Sequence, residues 1–391
     1  MTHELPGLEV AGLARWLARE HPELVGHVRS DAGPSAAPDL TASLITGGRS
    51  NLTYRVDGAV RPLVVRRPPL GHVLSSAHDM RREHRVITAL AGTIPVPRTV
   101  AVVDDTSAAE VTGTVFFVME HVAGRILARP EHNAAWTRDG LGRLGIELAE
   151  VLADLHTTDP STVGLADFGR PAGYLARQVK TWRRQYDASR SRPQPVLDSL
   201  QERLEAAVPD DGVRTGIVHG DYRLDNVLVA GPPDAPRVAA VLDWEMATLG
   251  DPLVDLGMLG MYWHISGLST DAGVDVVAGA IVPGAGYPDF DEVVDAYAAR
   301  AGIAVPDLSW YRAFACYKLA VILEGIHYRY TGGQTVGDGF DTIGALVEPL
   351  AAEGLAGFAG SPSGPGTASR PETASQSRPG AASGPDTAGG A

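Results

Sequence analysis

Four side chains able to act as acid, base or ligand fall within eight residues of IVHGDYRLDNVLV (217–229): His219, Asp221, Asp225 and Asn226. Asp221 and Asn226 stand five apart, and Asp243 follows in VLDWE after a Gly/Pro turn. Moving a phosphoryl group to a hydroxyl asks for such a set. A carboxylate must accept the hydroxyl proton and orient the oxygen, and oxygen ligands must hold Mg2+ on a polyphosphate. Asp221 suits the first task. Asn226, with a neutral amide oxygen, and Asp243, with a carboxylate, suit the second. HGD alone also reads as an ordinary turn, since Gly-Asp is a common turn dipeptide. The flanking IV and VLV runs, the five-residue spacing and the later LDWE are features a bare turn has no need of.

This chemistry needs a phosphate site upstream, and TGGRSNLTY offers one between two strand-like runs. Gly47 and Gly48 would let backbone amides approach phosphate oxygens, with Ser50 and Asn51 donating from side chains. A Gly-Gly hairpin turn explains the same residues equally well. A cation on the next strand comes from VVRRPP, where alternation turns only one of Arg66 and Arg67 inward. Arg66, directly after VV, is the expected one, with Glu83 of RREHRV as its helical partner. The alternative is an exposed edge strand with two solvated arginines. FFVMEHVAG (116–124) reads as an inter-lobe connector: backbone groups of Glu120 to Val122 face an adenine edge and Met119 borders its pocket. It also reads as a buried strand leading to a Gly turn. The cofactors expected are ATP and Mg2+.

The elements that must position these groups have an α+β pattern. Residues 1–40 read as an amino-terminal helix and a Pro/Ala/Gly connector, and 41–121 as a mostly antiparallel nucleotide-binding sheet with one inserted helix. From 122 to 357 the period is mainly helical, interrupted by the short strands around the 217–229 stretch and VAAVLDWEMATLGDP, and this part carries the acceptor site. Residues 361–391 hold no Val, Ile, Leu, Met or aromatic side chain, so 358–391 is expected to be a disordered tail that cannot offset its ordering entropy by burial.

Composition narrows the partners. A net charge of -14 argues against a general nucleic-acid binder. Residues 41–125 hold ten Arg against seven acids, whereas 251–350 hold thirteen acids against four Lys/Arg, so an anion suits the first region and something less anionic the second. A single cysteine, Cys316, allows no intrachain disulfide and fits a cytoplasmic setting. No signal-peptide pattern opens the chain, and the most apolar stretch, 253–268, is broken by Asp255 and short for a membrane span.

On these residues the chain resembles the aminoglycoside phosphotransferase-like kinase family, whose signature elements are HGD-x-x-x-x-N and a later (I/L)DWE. The likeness covers about residues 20–355. GGRSNLTYRV, VVRRPP, WRRQYDAS, DWEMATLGDPLVDLG and YKLAVILEGIHYRYTGG are similar to the branch whose kinase-like domain also occurs fused to acyl-CoA dehydrogenases. The resemblance implies a bilobal protein-kinase-like fold, ATP as donor, Mg2+, and a small-molecule hydroxyl as acceptor. By position it makes Asp221 the catalytic base, Asn226 and Asp243 the metal ligands, Arg66 the phosphate cation and Glu83 its partner. His219, Asp225, Asp251 and Asp255 fall to bracing roles. Arg66 departs from the usual kinase Lys; it stays charged and can hold phosphate bidentately, but it is bulkier. A metabolic hydroxyl or hydroxyacyl-type acceptor is favoured over an aminoglycoside or a non-catalytic nucleotide-binding role. An acidic cleft beside Asp221 would favour a cationic acceptor; a basic or apolar one would favour an acyl thioester or lipid-like one.

Overall fold

The computed structural model describes residues 5–25, 38–45, 51–71, 78–210, 214–274, 279–333 and 340–359. Helix α1 (Val10–Glu20) buries Leu13, Ala14, Trp16 and Leu17, the spacing of a helix with one apolar face. Its partner is a five-stranded antiparallel sheet of β1 (Thr41–Leu44), β2 (Leu52–Asp57), β3 (Leu63–Arg67), β4 (Thr99–Asp104) and β5 (Val115–Glu120), in the order β1-β2-β3-β5-β4. Strand β3 therefore lies in the middle, and the alternative of an edge strand with two solvated arginines is excluded.

Alternation along the strands gives the sheet two apolar faces. Leu63, Val65, Phe116 and Val118 share a core with α1, while Val64, Phe117 and Met119 join the core that continues into the helical region. Helix α2 (Met80–Leu90) starts where the Asp79 side chain accepts from the amides of Arg81 and Arg82, at 3.0 and 3.1 Å. It buries Met80, Glu83, Val86, Ile87 and Leu90, so Glu83 is the one charge on an otherwise apolar face.

After the short strand β6 (Arg125–Ile126) come three helices, α3 (Arg138–Thr157), α4 (Tyr174–Ser189) and α5 (Pro195–Ala206). Strands β7 (Gly216–Val218), β8 (Val227–Ala230), β9 (Arg237–Val241) and β10 (Thr248–Gly250) form two small ladders, β6-β8-β9 and β7-β10. Strand β7 feeds the 219–226 loop and β8 carries the chain out of it. β9 leads to Asp243, and the Leu242 amide donates to the Asn226 carbonyl at 2.8 Å, which ties the two segments together.

Helices α6 (Leu253–Ala272), α7 (Phe290–Ala301), α8 (Ser309–Thr331) and α9 (Val347–Ala359) complete the chain, and α8 packs against α4, α5, α6 and α9. Helix α6 is buried on most of its circumference, which explains its apolar composition without a membrane. Among the described residues no helix is long and apolar enough to cross one. Helix α9 takes in Phe358 and Ala359; the remainder of the expected tail lies outside the described residues.

Candidate functional site

The 219–226 loop is held from beneath by a buried carboxylate. Asp255, at the start of α6, accepts from the amides of His219 (2.6 Å) and Gly220 (2.8 Å), with His156 Nε2 of α3 3.2 Å away. Burial alone would push this carboxyl up, but the hydrogen bond and charge of His156, with the bond from the His219 amide, hold it below the ordinary aspartate range. Gly220 has φ +88°, and a Cβ there would stand 2.8 Å from Met246 Cβ, so only glycine fits the turn. The Asp221 amide donates to His219 Nδ1 at 3.2 Å, which requires that nitrogen to be bare; Nε2 then donates to the Leu242 carbonyl at 2.9 Å. His219 is thus assigned as a neutral brace.

Above that support, Asn226 Nδ2 donates to the Asp221 carbonyl (2.8 Å) and to its carboxylate (3.0 Å). The two residues singled out for their five-residue spacing are directly joined. Arg223 stands beside them, its Nε 3.6 Å from the Asp221 carboxylate and its Nη1 3.4 Å from Asp225, with the guanidinium 4.8 Å over the Tyr262 ring. Burial pushes Asp225 up, and Arg223 works against that shift.

The sheet supplies the opposite wall. Arg66 Nε lies 3.0 Å from Glu83 and Nη2 2.8 Å from Asp243, while Nη1 donates to Thr53 Oγ1 at 3.3 Å. One guanidinium therefore links strand, helix α2 and the segment after β9. Burial opposes the charge on Arg66, but Glu83 and Asp243 outweigh it and raise the pKa; burial also holds Glu83 above its usual range. Asp243 itself has φ +63°, a left-handed conformation that is uncommon for a residue with a side chain. Such backbone strain tends to gather at functional positions.

The remaining expected residues distribute unevenly. Asn51 is buried and its amide donates to Glu245 Oε2 at 3.1 Å, bridging the start of β2 to the turn after Asp243. Gly47, Gly48 and Ser50 lie outside the described residues. Met119 is buried at the end of β5. The amide of Glu120 donates to the Arg98 carbonyl at 2.8 Å and its carboxylate lies 3.0 Å from Arg61. His121 donates to the Pro62 carbonyl at 3.0 Å. The Val122 amide has no hydrogen-bond partner among the described residues.

Residues 41–314 match the model of the phosphotransferase enzyme family. The chain belongs to that family. Acyl-CoA dehydrogenase family member 11 of Gallus gallus is 35% identical over 326 residues, covering 81% of this chain and 40% of the relative. The Homo sapiens protein of the same name is 32% identical over 338 residues, covering 83% and 41%. The chain thus spans about two fifths of the length of these curated relatives. A solved structure from Ralstonia eutropha JMP134, whose description as an aminoglycoside phosphotransferase is itself provisional, is 34% identical with a TM-score of 0.68. The likeness covers 90% of this chain and 98% of that one. The macrolide 2'-phosphotransferase of Brachybacterium faecium, 18% identical with a TM-score of 0.53 over 86% and 98% of the chains, shares the fold. The kinase-like fold expected from the motifs is the fold of this family.

Within the family frame, three contributors escaped the sequence. His156 closes a helix and meets Asp255 from a separation of 99 residues, with Tyr297 at its other ring nitrogen, 2.9 Å away. Lys318, on α8, donates to the Gly220 carbonyl at 2.5 Å. Arg223 sits inside HGDYRLDN itself. Its charge between two acids was a legible signal; His156 and Lys318 gave none beyond a polar residue in an apolar helix. Asp251, expected as a brace, accepts from Tyr311 at 2.8 Å and from the Leu253 amide at 3.0 Å.

Proposed function

We propose that this phosphotransferase moves the γ-phosphate of ATP to a hydroxyl of a small molecule, with a metabolic or hydroxyacyl-type hydroxyl as acceptor. The observation that carries the reading is a pair of linked groups, one in the 219–226 loop and one on the sheet that reaches over to Asp243. Asn226 is bonded to Asp221 on one side, and Arg66 is bonded to both Glu83 and Asp243 on the other. In this reading the acceptor O–H gives its proton to Asp221 as its oxygen bonds to the γ-phosphorus. The bond to the β–γ bridging oxygen breaks and ADP departs. Asp221 faces the acceptor, Arg66 faces the phosphates, and Glu83 holds Arg66 in place. Asn51, Met119, Glu120 and Val122 flank the nucleotide, Val122 through its backbone amide.

Asp243 and Asn226 fit a hard cation. The Asn226 amide nitrogen is taken by Asp221, which leaves its oxygen as the uncommitted atom, and the Asp243 carboxylate is about one-third exposed. Among the described residues no group of three His, Cys, Asp or Glu could hold a metal alone, so these two ligands imply phosphate oxygens as the others. Bound Mg2+ would neutralise charge on those oxygens.

An aminoglycoside-type acceptor is the second reading, and the surroundings of Gly220 disfavour it. The recess there is lined by Lys318, by the neutral polar side chains of Tyr174, Gln178 and Thr248 and by apolar ones, and its one carboxylate, Asp255, is committed to backbone amides and His156. The deciding experiment is an ATP-consumption screen over hydroxylated metabolites, acyl-CoA derivatives and aminoglycosides, with product phosphate located by mass spectrometry. Asp221→Ala is expected to abolish turnover while Mg-ATP affinity stays within a few-fold. Equal loss of both would remove Asp221 from the acceptor side. Mg-ATP binding without transfer or hydrolysis across the panel would instead indicate a nucleotide-binding regulator.

A further inference from the structure

Arg82 and Arg85 stand on either side of Glu83 in α2, three residues apart and so on one face of the helix. Helix α2 packs on β4 and β5, yet both arginines reach the other way, into the helical region. Arg82 Nη2 donates to the Ala247 carbonyl at 3.0 Å and to the Phe168 carbonyl, and the guanidinium lies 3.7 Å over the Phe168 ring. Phe168 is itself buried. Arg85 Nη2 donates to the Gly164 carbonyl at 2.8 Å and pairs with Asp167 in the same segment. A planar guanidinium that stacks on a buried ring and serves two carbonyls has little freedom left.

The two carbonyls that hold Arg82 belong to segments leading to the site. Ala247 closes the turn after Asp243, its amide donating to the Trp244 carbonyl at 3.1 Å. Gly169, next to Phe168, lies so close to β10 that a Cβ there would stand 2.5 Å from the Leu249 nitrogen. Strand β10 pairs with β7, which feeds the 219–226 loop. Arg82 therefore joins α2 to the backbone that carries Asp243 and to the layer beneath Asp221.

Arg66 spans from Glu83 on α2 to Asp243, at 3.0 and 2.8 Å, so its place depends on where α2 stands against the turn after Asp243. Glu83 also accepts from the Trp244 amide. One such link lets the helix pivot about it. The bond from Arg82 to Ala247 is a second link to the same turn, and two links fix an orientation. A nucleotide phosphate that draws on Arg66 competes with Glu83 and Asp243, but it leaves the bonds from Arg82 to backbone carbonyls in place.

We propose that Arg82 is a positioning residue for the phosphate side of the site: clamped on Phe168 and Ala247, it fixes α2 so that Glu83 holds Arg66 in register with Asp243. This rests on the phosphotransferase reading and adds what keeps the two walls of the cleft aligned.

A double-mutant cycle with Arg66 tests the role, read as Mg-ATP affinity by calorimetry. Arg82→Met is expected to weaken that affinity about tenfold, the scale on which a partner of a ligand-binding residue acts. In an Arg66→Met background the same change should cost less than about twofold, because the group through which Arg82 acts is gone. A merely structural role would lower both backgrounds alike, so additive losses overturn the proposal. Unchanged affinity in Arg82→Met alone overturns it too. Arg82→Gln decides if Arg82→Met does not fold, since it keeps a donor for one carbonyl but neither serves both nor stacks as a cation. A loss seen only where Arg66 is present supports the role, and an equal loss in both backgrounds, or none, rejects it. Wild-type protein that binds no Mg-ATP would remove the phosphotransferase reading and this role together, whereas binding with additive losses removes the role alone.

Discussion

Arg66 and Arg67 are adjacent, identical in type and on one central strand, yet they serve opposite halves of the molecule. Arg66 reaches Glu83 and Asp243 across the cleft. Arg67 points to the other face, where Nη1 donates to the Gly7 and Thr112 carbonyls at 2.8 and 3.2 Å. One is bonded to carboxylates that a ligand can compete for; the other is bonded to backbone oxygens that have no alternative partner. The same contrast separates two aspartates. Asp221 is partly open at the loop tip, whereas Asp255 is buried with its oxygens given to two amides and a histidine. Residue type does not distinguish the site from its support; the neighbours' ability to move does.

The supporting members should cost most when broken. Asp255→Ala leaves the amides of His219 and Gly220 and a ring nitrogen of His156 without an acceptor in a buried setting. A loss of about 3–5 kcal/mol is expected in denaturant unfolding, the range for breaking a buried charged network. A loss under about 1 kcal/mol would show that the loop is held some other way. The pH dependence follows from the sign of the shift. Because Asp255 is held below its ordinary pKa in the folded chain, its contribution is complete above about pH 4 and is lost as pH falls below it. In Asp255→Asn that acid-side loss should shrink, and wild type and variant losing stability in parallel would contradict it.

The arginine pair sharpens the comparison at a smaller scale. Arg66→Met should weaken Mg-ATP binding by about 10–100-fold, the equivalent of one charge-assisted contact, as read by calorimetry. Arg67→Met should leave that affinity within about twofold and lower stability by about 1–2 kcal/mol through carbonyls left unpaired. If both variants lose nucleotide affinity alike, the two faces are not separate in function.

Much of this was legible because it is local. Strand alternation allowed one inward arginine and the position directly after VV singled out Arg66, and the five-residue spacing marked Asp221 and Asn226, which are in contact. What the sequence did not reveal depends on long-range packing. The His156–Asp255 contact joins two helices, and the Lys318–Gly220 bond spans 98 residues; neither leaves a periodic or spacing signal in either segment. The strain at Asp243 was likewise invisible, since LDWE carries no glycine to announce a left-handed turn.

That strain gives the smallest expected change in stability. An aspartate at φ +63° carries a conformational penalty of about 1–2 kcal/mol that glycine escapes. Asp243→Gly also removes the partner of Arg66 Nη2, but this carboxylate is about one-third exposed, so the ion pair contributes about 0–1 kcal/mol. Greater chain entropy in the unfolded glycine variant offsets part of the relief. The three effects nearly cancel, and the midpoint of unfolding should shift by less than about 1 kcal/mol in either direction. Mg-ATP affinity should nevertheless fall, because the carboxylate assigned to the metal is gone. A conformation retained at a cost to stability for the sake of a ligand would show this uncoupling; Asp243→Gly losing several kcal/mol with Mg-ATP affinity intact would make Asp243 a member of the support, like Asp255, and move the boundary between the two classes.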